Sequence, residues 1–96
     1  MAKKSIERLH ATVFGRVQGV SFRFFTRDTA VELDLTGWVA NRYDGSVEVV
    51  AEGSRAALDQ LVAFLHQGPS TAHVDHIQHE FLPATGEFKR FTIELD

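Results

Sequence analysis

The chain has 96 residues, of which 44% are hydrophobic and 24% are charged, and it contains no cysteine. Its formal net charge of −3 argues against a general binder of nucleic acid, because such binders need a basic surface to neutralise many phosphates. Disulfides and thiolate chemistry are excluded by the lack of cysteine, and the length predicts a single domain over residues 1–96 that buries a core without covalent cross-links.

The N-terminal sequence MAKKSIERLH has two lysines, but no apolar segment follows them, and the longest aliphatic run is LVAFL at 61–65. A signal peptide needs about 7–15 apolar residues, and a membrane-spanning helix needs about 20. We therefore expect a cytoplasmic protein without a membrane partner.

The first elements of the chain are predicted from a change in hydrophobic spacing. Residues 8–14 alternate with the period of a strand. From Phe22 onward the spacing is helical, with Ser21 at the position where an N-cap oxygen belongs. The predicted buried face of this helix consists of Phe22, Phe25, Thr29, Ala30 and Leu33.

Two strands are predicted next, at 36–41 and 46–52, joined by a hairpin turn in which Asp44-Gly45 supplies the tight bend. Ser54 is then expected to cap a second helix, which ends at Gly68-Pro69. The predicted apolar face of that helix consists of Leu58, Leu61, Val62 and Leu65.

The chain closes with two weaker predicted strands, at 76–82 and 90–95. The order β-α-β-β-α-β favours a ferredoxin-like α+β sandwich, with two helices on one face of an antiparallel sheet. In that topology the first and second strands run parallel with the third between them. The loop at 15–21 and Asn41 therefore leave the sheet at the same edge, and we expect them to face one cleft.

The sequence GRVQGVSFR at 15–23 places two glycines and an arginine where a strand passes into a helix. Such a loop can direct backbone N–H groups at an anion, and the start of the helix adds partial positive charge. Arg23 in the first helical turn opposes the helix dipole unless an anion binds there. The alternative is that the glycines only turn the chain and Arg23 points to solvent.

Asn41 also allows two interpretations. An asparagine beside a hairpin often makes a local turn through its side chain. Alternatively, a neutral carboxamide can hold a water molecule in line with a bound phosphorus without repelling the phosphate.

The segments GRVQGVSFR and GWVAN together resemble the two signatures of the acylphosphatase family. The resemblance implies a small ferredoxin-like enzyme that hydrolyses acyl phosphates to a carboxylate and inorganic phosphate, with no metal or other cofactor. It implies that Arg23 binds the phosphate and that Asn41 orients the attacking water. It also implies a phosphate-binding loop formed by Gly15, Arg16, Val17, Gln18, Gly19 and Val20.

The residues agree with such a substrate, because the predicted cleft holds no evident general base or nucleophile. The carboxylate leaving group of an acyl phosphate has a pKa of about 4 to 5 and needs no general acid. Holding charge on the phosphoryl oxygens and aligning water are then most of the task. We expect a monomer that inorganic phosphate inhibits as a product, with weak acyl-chain selectivity because no closed acyl pocket is evident.

Other functions remain open at this stage. One is a phosphate- or carbamoyl-phosphate-binding module without significant turnover. A nucleic-acid platform of Phe22, Phe24 and Phe25 is disfavoured, because stacking aromatics belong on strands, and these three are predicted to pack in the core. A metal site of His73, His76 and His79 is also disfavoured, since this spacing alternates sides on a strand.

Overall fold

The computed structural model describes residues 6–94 and contains every predicted element in the predicted order, including both closing strands. In chain order the elements are β1 (Ile6–Arg16), α1 (Phe22–Glu32), β2 (Thr36–Asn41), β3 (Val47–Ser54), α2 (Arg55–Gln67), β4 (His73–Pro83) and β5 (Phe91–Glu94). The predicted boundaries of β2 are confirmed, whereas β1 and β4 are longer than predicted. The predicted last strand, at 90–95, extends partly outside the described residues.

The five strands form one sheet in the order β4-β1-β3-β2-β5. β1 pairs antiparallel with β3 and β4, and β2 pairs antiparallel with β3, so β1 and β2 run parallel with β3 between them. β5 pairs parallel with β2 at the outer edge. The ferredoxin-like class is confirmed, but the sheet is mixed rather than wholly antiparallel, because the chain crosses after β4 instead of turning back beside it.

The core lies between the sheet and the two helices, which contact each other. Along β1 the side chains of Leu9, Ala11 and Val13 are fully buried, as the alternation predicts. On α2 the buried side chains are those of Ala57, Leu58, Leu61 and Leu65, so the predicted apolar face is confirmed apart from Val62, which is half-buried. No helix among residues 6–94 is long and apolar enough to cross a membrane.

The buried face of α1 differs from the prediction. Phe22, Thr26 and Ala30 are buried, whereas Phe25 is 48% exposed and Phe24 is 52% exposed. The predicted core positions of these two phenylalanines are therefore wrong. Compared with the predicted orientation, α1 is rotated about its axis so that Thr26 faces the core. The Thr26 side chain is fully buried although threonine is a polar residue type.

The hairpin between β2 and β3 contains the predicted Asp44-Gly45 turn. Gly45 has a φ of +92°, and its N–H donates to the Arg42 carbonyl at 3.1 Å. The Asp44 Oδ1 accepts from the Ser46 N–H at 2.9 Å and from the Ser46 hydroxyl at 2.5 Å. These bonds fix the turn that directly follows Asn41.

A buried carboxylate joins the sheet to the loop between β4 and β5. Glu52 is 4% exposed and accepts hydrogen bonds from the backbone N–H groups of Thr85 and Gly86, each at 2.9 Å. The Arg8 Nε donates to the same carboxylate at 2.7 Å. Burial acts to raise the pKa of Glu52, but the effect of these hydrogen bonds is larger and lowers the pKa from the usual 4.5 to about 2.

We expect the Glu52 carboxylate to make the stability of the fold pH-dependent. Its folded pKa lies below the usual 4.5, so its stabilising contribution is present above about pH 4.5 and is lost as the pH falls through about 2. Glu52→Gln should lower the free energy of unfolding at pH 7 by about 2–3 kcal/mol and flatten its decrease between pH 5 and pH 2. Urea denaturation across this pH range checks both effects, and an unchanged pH dependence in the variant would contradict the assignment.

Candidate active site

A cleft of about 210 Å³ lies between the loop after β1, the start of α1 and the end of β2. The topology predicts this meeting point, because the parallel strands β1 and β2 end at the same edge of the sheet. Arg23 and Asn41, which are 18 positions apart in the sequence, both line the cleft. The other lining residues are Val17, Gly19, Ser21, Phe22 and Phe24.

The backbone of the loop after β1 alternates in a way that suits an anion. Gly19 has a φ of +71° and Ser21 a φ of +62°, while Val20 between them is not in the positive region. Such alternation turns successive N–H groups towards one point, forming a concave anion-binding site. Ser21 carries a side chain in the left-handed region, which costs on the order of 1 kcal/mol and is characteristic of functional sites.

The N-termini of the two helices differ. At α2 the Ser54 side chain accepts from the Ala57 N–H at 3.2 Å, as predicted. At α1 the predicted cap is wrong, because the left-handed Ser21 makes no side-chain capping bond. The first turn of α1 also contains no acidic residue. The first N–H groups of an α-helix have no carbonyl partner within the helix, so the partial positive charge of this N-terminus lies beside the cleft, which no carboxylate among residues 6–94 lines.

Two side chains fix the loop in position. The Gln18 Nε2 donates to the carbonyls of Arg42 at 2.7 Å and Ser46 at 2.9 Å, which joins the loop to the β2–β3 hairpin. On the other side, the Thr71 hydroxyl donates to the Val20 carbonyl at 2.9 Å. The sequence predicted only a backbone role for Gln18. Its side chain also holds the loop beside Asn41.

Gly15 and Arg16 belong to the end of β1 and pair with β4. A register shift occurs at Gly15, whose φ is +132°, and a Cβ there would lie 2.2 Å from the His73 carbonyl oxygen. These two residues, like Gln18 and Val20, are not among those that line the cleft. Their contacts with phosphate remain a prediction.

Asn41 is the last residue of β2 and pairs with Val47. Its Oδ1 is buried and accepts no hydrogen bond from residues 6–94. The side chain that accepts a hydrogen bond within the local turn is that of Asp44. The alternative that the Asn41 side-chain oxygen makes such a turn is therefore not supported. An unpaired buried acceptor costs about 1–3 kcal/mol, and such groups call for a functional explanation.

A second, larger cleft of about 480 Å³ lies on the hairpin and shares Asn41 with the first. Its two carboxylates are poor proton acceptors. Burial would raise the pKa of Glu48, but hydrogen bonds with His10 and Arg42, both at 2.7 Å, lower it overall. Hydrogen bonds from Ser46 lower the pKa of Asp44. Both carboxylates are thus held in their ionised form.

The histidines of β4 lie on exposed positions, and two of them contact aromatic rings. His76 stacks on Phe14 with ring centroids 4.4 Å apart, and His79 meets Phe81 edge-on at 5.7 Å. Within residues 6–94 no three His, Asp, Glu or Cys side chains are grouped to hold a metal ion.

Sequence reasoning missed Phe24 as a cleft residue. The signal that could have found it is its position relative to Thr26 and Ala30: once those two and Phe22 are taken as the buried stripe of α1, Phe24 falls outside it.

Known proteins match the chain over most of its length. The acylphosphatase family model matches residues 9–93. The acylphosphatase of Pelotomaculum thermopropionicum is 50% identical over 86 residues, covering 90% of this chain and 94% of that protein. The crystal structure of the Bacillus subtilis acylphosphatase superposes with a TM-score of 0.88 at 38% identity, covering 92% and 98% of the two chains. The structure of a Coxiella burnetii acylphosphatase gives a TM-score of 0.89 at 38% identity, covering 98% and 100%. On this evidence, joined to the two signatures and the fold, the chain belongs to the acylphosphatase family.

Proposed function

We propose that this chain hydrolyses acyl phosphates to a carboxylate and inorganic phosphate, without a metal ion, in the cleft between the loop after β1 and Asn41. One observation carries the proposal: Arg23, the uncapped start of α1 and the Asn41 amide line the same cleft. Membership of the acylphosphatase family and the names of the relatives support the reaction.

Phosphate binding is assigned to the loop, the start of α1 and Arg23. The alternating φ angles around Gly19 and Ser21 favour N–H groups that converge on an anion, and the start of the helix adds partial positive charge beside them. The planar guanidinium of Arg23 can make two parallel hydrogen bonds to phosphate oxygens. Together these groups stabilise the negative charge on the equatorial oxygens of a loose transition state.

Water activation is assigned to Asn41. Asn41 lines the cleft, and a water molecule that donates to its carboxamide oxygen there would be held in line with the phosphorus. The ionised Glu48 and Asp44 are poor bases, so we assign the water proton to a phosphate oxygen of the substrate. The departing carboxylate is stable as an anion and needs no proton.

The remaining parts of the proposal rest on the sequence. Inorganic phosphate is the product and the expected inhibitor, and the protein is expected to act as a cytoplasmic monomer. The described residues form one sheet with two packed helices, which supports a single domain over residues 1–96.

The first test of the proposal is phosphate release from benzoyl phosphate in excess EDTA. We expect turnover to continue at an unchanged rate, because the assigned groups are backbone amides, a guanidinium and a carboxamide. The same assay without EDTA is the control. Loss of activity with EDTA would overturn the metal-free mechanism, and no turnover in either condition would favour a binding module.

Arg23→Ala is expected to weaken competitive inhibition by inorganic phosphate about 10- to 100-fold, because a hydrogen bond to a charged group contributes about 1.5–3 kcal/mol. Arg27→Ala removes the same charge one turn along α1, at a position that does not line the cleft, and should leave the inhibition constant nearly unchanged. Equal inhibition constants for wild type and Arg23→Ala would contradict the role of Arg23.

Asn41→Ala should lower kcat about 100-fold while phosphate inhibition is nearly retained, because a misplaced nucleophile costs rate rather than phosphate affinity. The variant also removes a buried unpaired acceptor, so its urea midpoint should be equal to or higher than that of wild type. Steady-state kinetics and urea denaturation check the two parts. A parallel fall in activity and stability would instead indicate a structural role.

A further inference from the structure

Two neighbouring phenylalanines remain exposed in the first turn of α1, and they differ in one respect. Phe24 is 52% exposed and lines the cleft with Arg23 and Asn41, whereas Phe25 is 48% exposed and does not line it. Leaving a phenyl ring in water forgoes the free energy of its burial. Core packing therefore does not explain the position of Phe24.

Among residues 6–94, Phe24 supplies the apolar surface of the cleft that a substrate can reach. The other apolar side chains in the lining, Val17 and Phe22, are each 1% exposed and belong to the core. The remaining lining residues are glycine or polar. A substrate whose phosphate sits beside Arg23 therefore finds one exposed apolar side chain within the same cleft.

The Phe24 ring also contacts a neighbouring side chain. The guanidinium carbon of Arg27 lies 5.7 Å from the centre of the ring, within the range of a cation–π contact. Arg27 is itself paired with Asp28, whose Oδ1 accepts from its Nε at 3.2 Å and its Nη2 at 3.1 Å. This contact favours the ring orientation in which Phe24 lies against Arg27 at the side of the cleft.

We propose that Phe24 contacts the acyl group of the substrate and gives this chain a preference for acyl phosphates with an aromatic or extended apolar acyl group. The inference rests on the proposed function. In-line displacement places the attacking water and the leaving carboxylate on opposite sides of the phosphorus. With the water at Asn41, the acyl group points away from that amide and packs against the Phe24 ring. Because the cleft encloses no acyl pocket, the preference is modest.

The test compares kcat/KM for benzoyl phosphate and acetyl phosphate in wild type, Phe24→Ala, Phe24→Tyr and Phe25→Ala. The ratio of the two values within each protein, compared between proteins, removes the intrinsic difference in substrate reactivity. We expect Phe24→Ala to lower the benzoyl-to-acetyl ratio about two- to tenfold, the range given by one aromatic contact. Phe24→Tyr keeps a ring and should retain the ratio. Phe25→Ala, the matched control, should also retain it.

Inhibition by inorganic phosphate supplies a second readout. If Phe24 contacts only the acyl group, the inhibition constant of inorganic phosphate for Phe24→Ala stays within about twofold of the wild-type value, because no phosphate-binding group is removed. An unchanged benzoyl-to-acetyl ratio in Phe24→Ala overturns the inference, and so does an equal fall in Phe25→Ala. Weaker phosphate inhibition with both substrates affected equally also overturns it, because Phe24 then supports the phosphate site.

Failure of the proposed function has a different signature. In that case wild type hydrolyses neither substrate, whereas failure of this inference alone leaves wild-type hydrolysis intact with an unaltered ratio in the variants.

Discussion

The two hydrogen bonds from the Gln18 side chain are the interactions on which the candidate site most depends. They tie the loop after β1 to the carbonyls of Arg42 and Ser46, on the hairpin that begins directly after Asn41. The groups assigned to the phosphate lie on the loop after β1 and the start of α1, whereas the group assigned to the water lies at the end of β2, and this bridge fixes the loop beside that strand. A site held in this way does not have to be ordered by its ligand, so less of the binding energy is lost to conformational entropy.

Three local features of the candidate site each lower the free energy of unfolding. Ser21 lies in the left-handed region, the N-terminus of α1 has no side-chain cap, and the Asn41 Oδ1 is buried without a partner in the described chain. Each is unfavourable by on the order of 1 kcal/mol or more. They occur together at one cleft, while the distant end of the sheet carries a well-satisfied carboxylate network around Glu52. This division is typical of a fold whose stability is concentrated away from its site.

The sequence predicted those parts of the structure that follow from periodicity and topology. The alternation in β1, the hairpin turn and the shared edge of β1 and β2 required only spacing rules, and they brought Arg23 and Asn41 together. The predictions for α1 were less successful, since the burial of Thr26 rotates the helix and exposes Phe24. The prediction that the Ser21 side chain caps α1 was wrong, because capping depends on a backbone φ that the residue type does not reveal. The Gln18 bridge depends on tertiary contact, so no local pattern could indicate it.

The long outer strand β4 bears on a different property, the tendency to aggregate. It pairs with β1 on one side and, among residues 6–94, is the last strand of the sheet on the other, so this 11-residue edge presents backbone groups with which another chain could pair. Most of its side chains are exposed and polar, and His73 and Asp75 form an ion pair at 3.2 Å on this strand. At its end Pro83 lacks a backbone donor. Within residues 6–94 the opposite edge strand, β5, has four residues. A cross-β stack that grew from the β4 edge would have to desolvate these charges, which disfavours edge-to-edge pairing of two copies through this strand.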